Sequence, residues 1–207
     1  MGRTVTTAHW IAAVRARESA RPDHLFVDPY AKELAGQAGR DMMAASEAVS
    51  GRENPFIPVR VRWFDDRISA LVALSQSGSR AEAGAGFAEL WPELTDPFHR
   101  CVLAHYAADV AEDPQAELAW DRRALAAADE VPPGRAQAHH PALRLAAFYP
   151  SLHLNLAEAY RKVGEPGPAR SHLAAARERL AALDGADPGY AATIRGGLDR
   201  LAERLAE

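Results

Sequence analysis

Hydrophobic residues recur at helical spacing along almost the whole chain. Trp10, Ile11 and Val14 mark one helix over residues 4–19, and residues 59–74 repeat the same spacing. No stretch alternates apolar and polar residues in the way that a half-buried strand does. The pattern therefore predicts an all-α protein.

Two Asp-Pro pairs predict where helices begin. Asp28-Pro29 and Asp113-Pro114 each place a capping residue before a proline at the first helical position. We expect the first of these helices to end near Ala38. Further helices are predicted over residues 40–49, 151–163, 168–183 and 188–205.

A polar stretch of small residues divides the chain into two parts. Residues 76–86 are mostly Ser, Gly and Ala, which is typical of a linker, and the linker includes Gly84-Ala-Gly86. We interpret residues 1–75 as a small helical N-terminal segment. Residues 87–207 are predicted to form antiparallel helical hairpins.

Composition excludes several classes of function. The net charge of -4 gives no reason to expect nucleic-acid binding. The single cysteine, Cys101, rules out an internal disulfide and fits a reducing compartment. No apolar run is long enough for a membrane span, and the first residues lack the apolar core of a signal peptide. We therefore expect a cytoplasmic protein that binds neither nucleic acid nor membrane.

Three phrases in the first part of the chain carry a resemblance. Residues 7–19 read TAHWIAAVRARES, residues 25–31 read LFVDPYA, and residues 59–66 read VRVRWFDD. In this order and spacing they resemble the start of the leucine-carboxyl-methyltransferase-like family, whose members use S-adenosylmethionine. The resemblance implies a helical lid over a Rossmann-like domain. It also implies that Arg60 or Arg62 lies near the carboxylate of the cofactor.

The local pattern leaves a second role open for these arginines. Asp65 and Asp66 lie within one helical turn of them, so surface ion pairs are an alternative to cofactor binding. Beyond Asp66 the chain departs from the family pattern of an apolar strand, a Gly-x-Gly turn and an acidic residue for the ribose. The remaining residues are helix-patterned and leave no room for a complete methyltransferase sheet.

The last part of the chain carries a different resemblance. Residues 151–180 resemble one tetratricopeptide unit, and residues 97–206 as a whole resemble proteins built from such repeats. Gly164 falls at the turn of the unit. The large, small and aromatic positions of its two helices are filled by Leu156, Ala157, Tyr160, Ala169, Leu173 and Ala176.

This second resemblance implies a protein or peptide partner on the concave face formed by the first helix of each hairpin. A carboxylate ligand is not supported, because Leu154 and Glu158 stand where the known clamp needs Lys and Asn. A merely solvated face is the alternative. The partner-binding residues implied are Leu154, Asn155, Glu158, Arg161 and Lys162.

Histidines give no metal site by spacing. His139-His140, His105 and Cys101 match no zinc pattern, and the pair lies in a polar stretch. We interpret the histidine pair as solvated and Cys101 as a small core residue.

The leading hypothesis from the sequence is a tetratricopeptide-like scaffold for protein–protein interaction, with no competent catalytic site and no cofactor. The alternative is a member or subunit of the methyltransferase family that binds S-adenosylmethionine. A third interpretation is a gene fusion or reading-frame accident.

Overall fold

The computed structural model describes residues 2–53, 56–131, 145–184 and 186–206. These residues contain helices and no strand, so the predicted all-α class is confirmed. Two short 3-10 turns follow α4 and α8, at Trp91–Glu93 and Leu180–Leu183. The α-helices are α1 (Gly2–Ser19), α2 (Ala31–Ser50), α3 (Phe56–Gln76), α4 (Arg80–Leu90), α5 (Pro97–Val110), α6 (Pro114–Glu130), α7 (Leu145–Lys162), α8 (Pro166–Glu178) and α9 (Pro188–Arg204).

The chain forms two compact units. The first contains the described residues up to Arg67, and the second begins at Ile68. Helix α3 therefore belongs to both units, and the division predicted after residue 75 falls near its C-terminal end. None of the described helices is long and apolar enough to cross a membrane.

In the first unit α1 packs against α2 through small residues. Ala12, Ala13 and Ala35 form its buried core. Gly39 faces the backbone of His9 so closely that a β-carbon would lie 2.7 Å from the carbonyl carbon of His9. The missing side chain at position 39 is therefore what allows the two helices to approach.

The N-terminal boundary predicted for α2 is wrong. The helix begins at Ala31, and the carboxylate of Asp28 pairs with Arg15 instead of capping a helix that starts at Pro29. A buried tertiary ion pair has displaced the local capping role. The two helices predicted up to Ala38 and over residues 40–49 are one element, kinked where Gly36 has a φ of 53°.

The linker predicted over residues 76–86 is largely helical. Helix α4 starts at Arg80, and Ala83 and Phe87 are fully buried in the second unit. Gly84 and Gly86 lie inside this helix, where a β-carbon on Gly86 would overlap the side chain of Leu71. The stretch is rich in Ala and Glu, which favour helix, and its glycine permits a close contact with α3.

In the second unit neighbouring helices pack as pairs, α5 with α6 and α7 with α8, and α6 also contacts α7. The cap predicted at Asp113 is confirmed, since its carboxylate accepts a hydrogen bond of 3.0 Å from the Ala116 amide. Gly164 takes a φ of 79° at the turn between α7 and α8. The small residues predicted at the contact of α7 with α8, Ala157, Ala169 and Ala176, are all fully buried.

Helix α9 completes the core of the second unit. Its residues Ile194, Leu198 and Leu201 join the cluster formed by α7 and α8. A β-carbon on Gly197 would lie 2.7 Å from a methyl group of Leu154. The glycine therefore lets α9 lie close against α7.

Candidate functional site

A buried ion pair joins α1 to the loop that follows it. The Nε atom of Arg15 donates to Oδ2 of Asp28 over 2.8 Å, and the two side chains are only 7% and 2% exposed. The Arg15 guanidinium also lies over the ring of Phe26, 4.9 Å from its centroid. Burial makes this pair a framework contact of the unit, because charges removed from water need matched partners.

Two further side chains of α1 hold the same loop. The Asp28 amide donates to the hydroxyl of Ser19 over 2.8 Å, and the Leu25 amide donates to Oε1 of Glu18 over 2.7 Å. The first two sequence phrases, residues 7–19 and 25–31, are therefore tied together by polar contacts. Sequence reasoning missed this network, although a buried glutamate on an otherwise apolar helix face was a usable signal.

The third phrase reaches the same loop through Arg62. Its Nη1 atom donates to the Leu25 carbonyl over 3.2 Å, and its Nε atom donates to Oδ2 of Asp66 over 2.8 Å. The hydrogen bond from Asp66, followed by its charge, raises the pKa of Arg62, so the guanidinium stays charged. The ion-pair role foreseen as the alternative for Arg62 is present. Arg60 lies on α3, and its side chain lies outside the described part of the structure.

The arrangement around Arg62 fits one end of S-adenosylmethionine. The side chain is 52% exposed and retains an Nη2 atom with no hydrogen bond to a described residue, so it can meet a carboxylate. The described residues offer no Gly-rich turn for the ribose, because Gly84 and Gly86 lie within α4. The role of Arg60 or Arg62 in cofactor binding stays a prediction.

Two of the predicted partner-binding residues face α9. Leu154 packs against Gly197, and Glu158 pairs with Arg204 over 3.1 Å. Glu158 also accepts from Arg161, at 2.9 Å. Burial by itself would raise the pKa of Glu158, but the hydrogen bond and charge of Arg161 outweigh it and the pKa is lowered.

The other two face α5 and α6. The Nδ2 atom of Asn155 lies 3.4 Å from Nδ1 of His105, and Lys162 pairs with Glu117 over 2.7 Å. All five residues of the predicted face thus have contacts within their own unit. Partner binding on this face stays a prediction.

Asp121 is a buried acid at the junction of α5, α6 and α7. It is 2% exposed, and its Oδ1 atom has no hydrogen-bond partner among the described residues. Burial, and then the charges of Glu117 and Asp109, raise the pKa of Asp121 to about 8, although Lys162 and Asn155 act in the opposite direction. The side chain is therefore a neutral carboxylic acid at neutral pH.

This neutral acid gives the stability a specific pH dependence. Between about pH 4 and 8 the folded chain keeps a proton that the unfolded chain loses, so the free energy of unfolding should fall by up to ~1.4 kcal/mol per pH unit. The loss should be complete above the folded pKa of about 8. Urea unfolding from pH 5 to 9 should show this slope in the wild type and a flatter one in Asp121→Asn. Asp199→Asn, whose side chain is 77% exposed, is the control and should keep the wild-type slope.

A histidine pair lies between α7 and α8. The Nδ1 atoms of His153 and His172 are 3.0 Å apart, and the ring of Tyr160 stacks on His172 with centroids 5.5 Å apart. Burial lowers the pKa of both histidines, that of His153 to about 4, and the pair is therefore neutral. One ring donates its Nδ1 proton to the other, so the pair works as a structural hydrogen bond.

No group of three or more metal-ligating side chains occurs among the described residues. His139 and His140 lie outside them. Cys101 is buried as predicted, and burial raises the pKa of its thiol to about 12. It is a core residue and not a reactive thiol.

Comparison with known proteins places the first part of the chain. Residues 8–81 match the profile of the leucine carboxyl methyltransferase family. The chain is also 36% identical over 87 residues to a protein of Parafrankia sp. (strain EAN1pec) described as an S-adenosyl-L-methionine-dependent methyltransferase. That alignment covers 39% of this chain and 26% of the relative, so the chain spans about a quarter of the relative's length. No solved structure matches the chain.

These matches confirm the resemblance of the N-terminal phrases to methyltransferases and contradict the leading hypothesis. A cofactor-free interaction scaffold is the wrong interpretation, because the matched family points to S-adenosylmethionine. The error came from weighing an absent Gly-rich turn above the residues that are present. Arginine–carboxylate contacts with a cofactor need no glycine. The tetratricopeptide resemblance of residues 97–206 stays a prediction.

Proposed function

We propose that this chain acts in methyl transfer from S-adenosylmethionine, as a relative of the leucine carboxyl methyltransferases. The observation that carries the proposal is the family match over residues 8–81. The matched region contains the Arg15–Asp28 ion pair and Arg62, which are contacts of one compact unit. The first unit has the role of the lid segment in this proposal.

Arg62 is the residue proposed to hold the carboxylate of the cofactor, with Arg60 as the alternative on the same helix. A guanidinium presents parallel N–H donors that match a carboxylate. Asp66 and the Leu25 carbonyl already fix the orientation of Arg62, so little side-chain freedom is lost on binding. When bound, the cofactor supplies an activated methyl group on its sulfonium. The chain's own residues bind and orient its amino-acid end.

Calorimetric titration of the full chain with S-adenosylmethionine tests this proposal. We expect binding, and we expect Arg62→Ala to weaken it by about tenfold or more, because a hydrogen bond to a charged group contributes about 1.5–3 kcal/mol. Arg60→Ala tests the alternative assignment in the same way. Arg67→Ala is the matched control, since Arg67 is exposed on the same helix.

Two results would contradict the proposal. One is the absence of any heat of binding with S-adenosylmethionine for a wild type that circular dichroism shows to be folded. The other is binding that neither Arg60→Ala nor Arg62→Ala weakens more than Arg67→Ala does.

A further inference from the structure

Two tryptophans and two arginines form a cluster in the second unit, in which the 3-10 turn after α4 meets α5 and α6. The rings of Trp91 and Trp120 meet edge to face, with centroids 5.3 Å apart at 82°. The guanidinium of Arg100 lies 4.7 Å from the centroid of Trp91. That of Arg123 lies 5.5 Å from the centroid of Trp91 and 4.3 Å from that of Trp120.

The two indoles form a fixed platform. Both are partly buried and pack against the core that α5, α6 and α7 share, which includes Cys101, Ala124 and Leu152. Their positions are set by packing rather than by the arginines. The arginines can therefore change partners without a change in the core.

Neither guanidinium has a counter-charge in the part of the chain that the structure describes. No ion pair or side-chain hydrogen bond joins Arg100 or Arg123 to another described residue, and the Nε atom of Arg100 is buried without a partner. Elsewhere in the same unit Arg161 faces Glu158 and Arg195 faces Asp184. A buried polar atom without a partner calls for an explanation, and a ligand is one of the usual ones.

Stacking explains the position of each arginine but not the pairing of two positive charges at one ring. A cation–π contact uses the face of the guanidinium and leaves the N–H groups at its edge available for acceptors. Two such edges near one indole present several donors and no acceptor. Two like charges also repel one another, and a bound anion would relieve that repulsion.

We propose that Arg100 and Arg123 form a binding site for an oxyanion, a phosphate or carboxylate group, with Trp91 and Trp120 as the apolar platform beneath it. Guanidinium edges match both groups with parallel hydrogen bonds. The indoles favour an anion carried on a flat apolar body, which can contact the exposed parts of the rings. The site lies within the second unit and does not depend on methyl transfer by the first.

Tryptophan fluorescence of the full chain tests this site. In a Trp10→Phe/Trp63→Phe background the remaining signal comes from Trp91 and Trp120. Titration with phenyl phosphate and with benzoate should each give a saturable change, and the stronger of the two identifies the preferred oxyanion. Raised salt should weaken both.

Matched variants decide whether the arginines are responsible. Arg100→Gln and Arg123→Gln should each weaken binding by about fivefold or more, and Arg100→Lys should keep part of the affinity, because it retains the charge without the fork. Arg122→Gln is the control, since Arg122 is exposed on α6 next to Arg123. The proposal is overturned if neither probe saturates, or if folded Arg100→Gln and Arg123→Gln bind as tightly as Arg122→Gln.

Discussion

Gly39→Ala should separate α1 from α2 and unfold the first unit at temperatures that leave the second unit folded. The new β-carbon would overlap the carbonyl oxygen of His9 and lie 2.7 Å from its carbonyl carbon. Backbone atoms cannot rotate away as a side chain can, so α1 must move as a whole. Overpacking of this kind costs about 1–3 kcal/mol and sometimes more, which exceeds the ~1 kcal/mol that alanine gains as a better helix former.

Hydrogen exchange measured by mass spectrometry locates the effect. Amides of residues 9–50 should exchange faster in Gly39→Ala, whereas those of α5 to α9 should keep their protection. Gly167→Ala is the control, because no atom lies within 4 Å of its added β-carbon. Wild-type protection of residues 9–50 in Gly39→Ala would show that the close contact does not stabilise the unit.

The same substitution links packing to function. Arg62 is held by the Leu25 carbonyl, and the Leu25 amide is held by Glu18 of α1. If α1 moves, the loop loses its anchor and Arg62 loses one of its two fixed partners. We therefore expect Gly39→Ala also to weaken the binding of S-adenosylmethionine proposed above.

Local sequence signals predicted helices where local chemistry decides the boundary. Asp113-Pro114 caps α6 as predicted, because no competing partner takes the Asp113 carboxylate. Asp28-Pro29 is the same dipeptide, but a buried arginine 13 residues earlier takes its carboxylate. Periodicity cannot detect such a pairing, since the two residues lie in different elements and meet only in the folded chain.

The site shows the same division between local and tertiary information. The three phrases that resemble methyltransferases could be recognised from residue order alone, and the family match covers them. The contacts of the α7 face could not, because helical spacing shows which residues share a face but not which neighbours cover it. Leu154 illustrates the limit: the glycine that accommodates it, Gly197, lies 43 residues later on α9.

Removing one partner of the Arg15–Asp28 pair should destabilise the first unit more than any change at an exposed ion pair. The two side chains are 7% and 2% exposed, and Oδ1 of Asp28 also accepts from the Tyr30 amide over 3.2 Å. Breaking a buried pair on one side typically costs about 3–5 kcal/mol, because the remaining charge loses its partner in a poorly hydrated site. We expect a loss in this range for Asp28→Ala.

A double-mutant cycle separates the charge effect from the loss of side-chain volume. Replacing both residues by apolar ones, Arg15→Met with Asp28→Leu, should cost less than the sum of the single changes, since no buried charge is left unmatched. Asp23→Asn is the control, because Asp23 belongs to an exposed pair with Arg21 at 3.4 Å and should leave the unfolding midpoint unchanged. Additive single effects, measured by urea unfolding and by hydrogen exchange of residues 9–50, would show that the pair does not act as a unit. A positive coupling would show that the polar network, and not only the α1–α2 contact, holds the loop that orients Arg62.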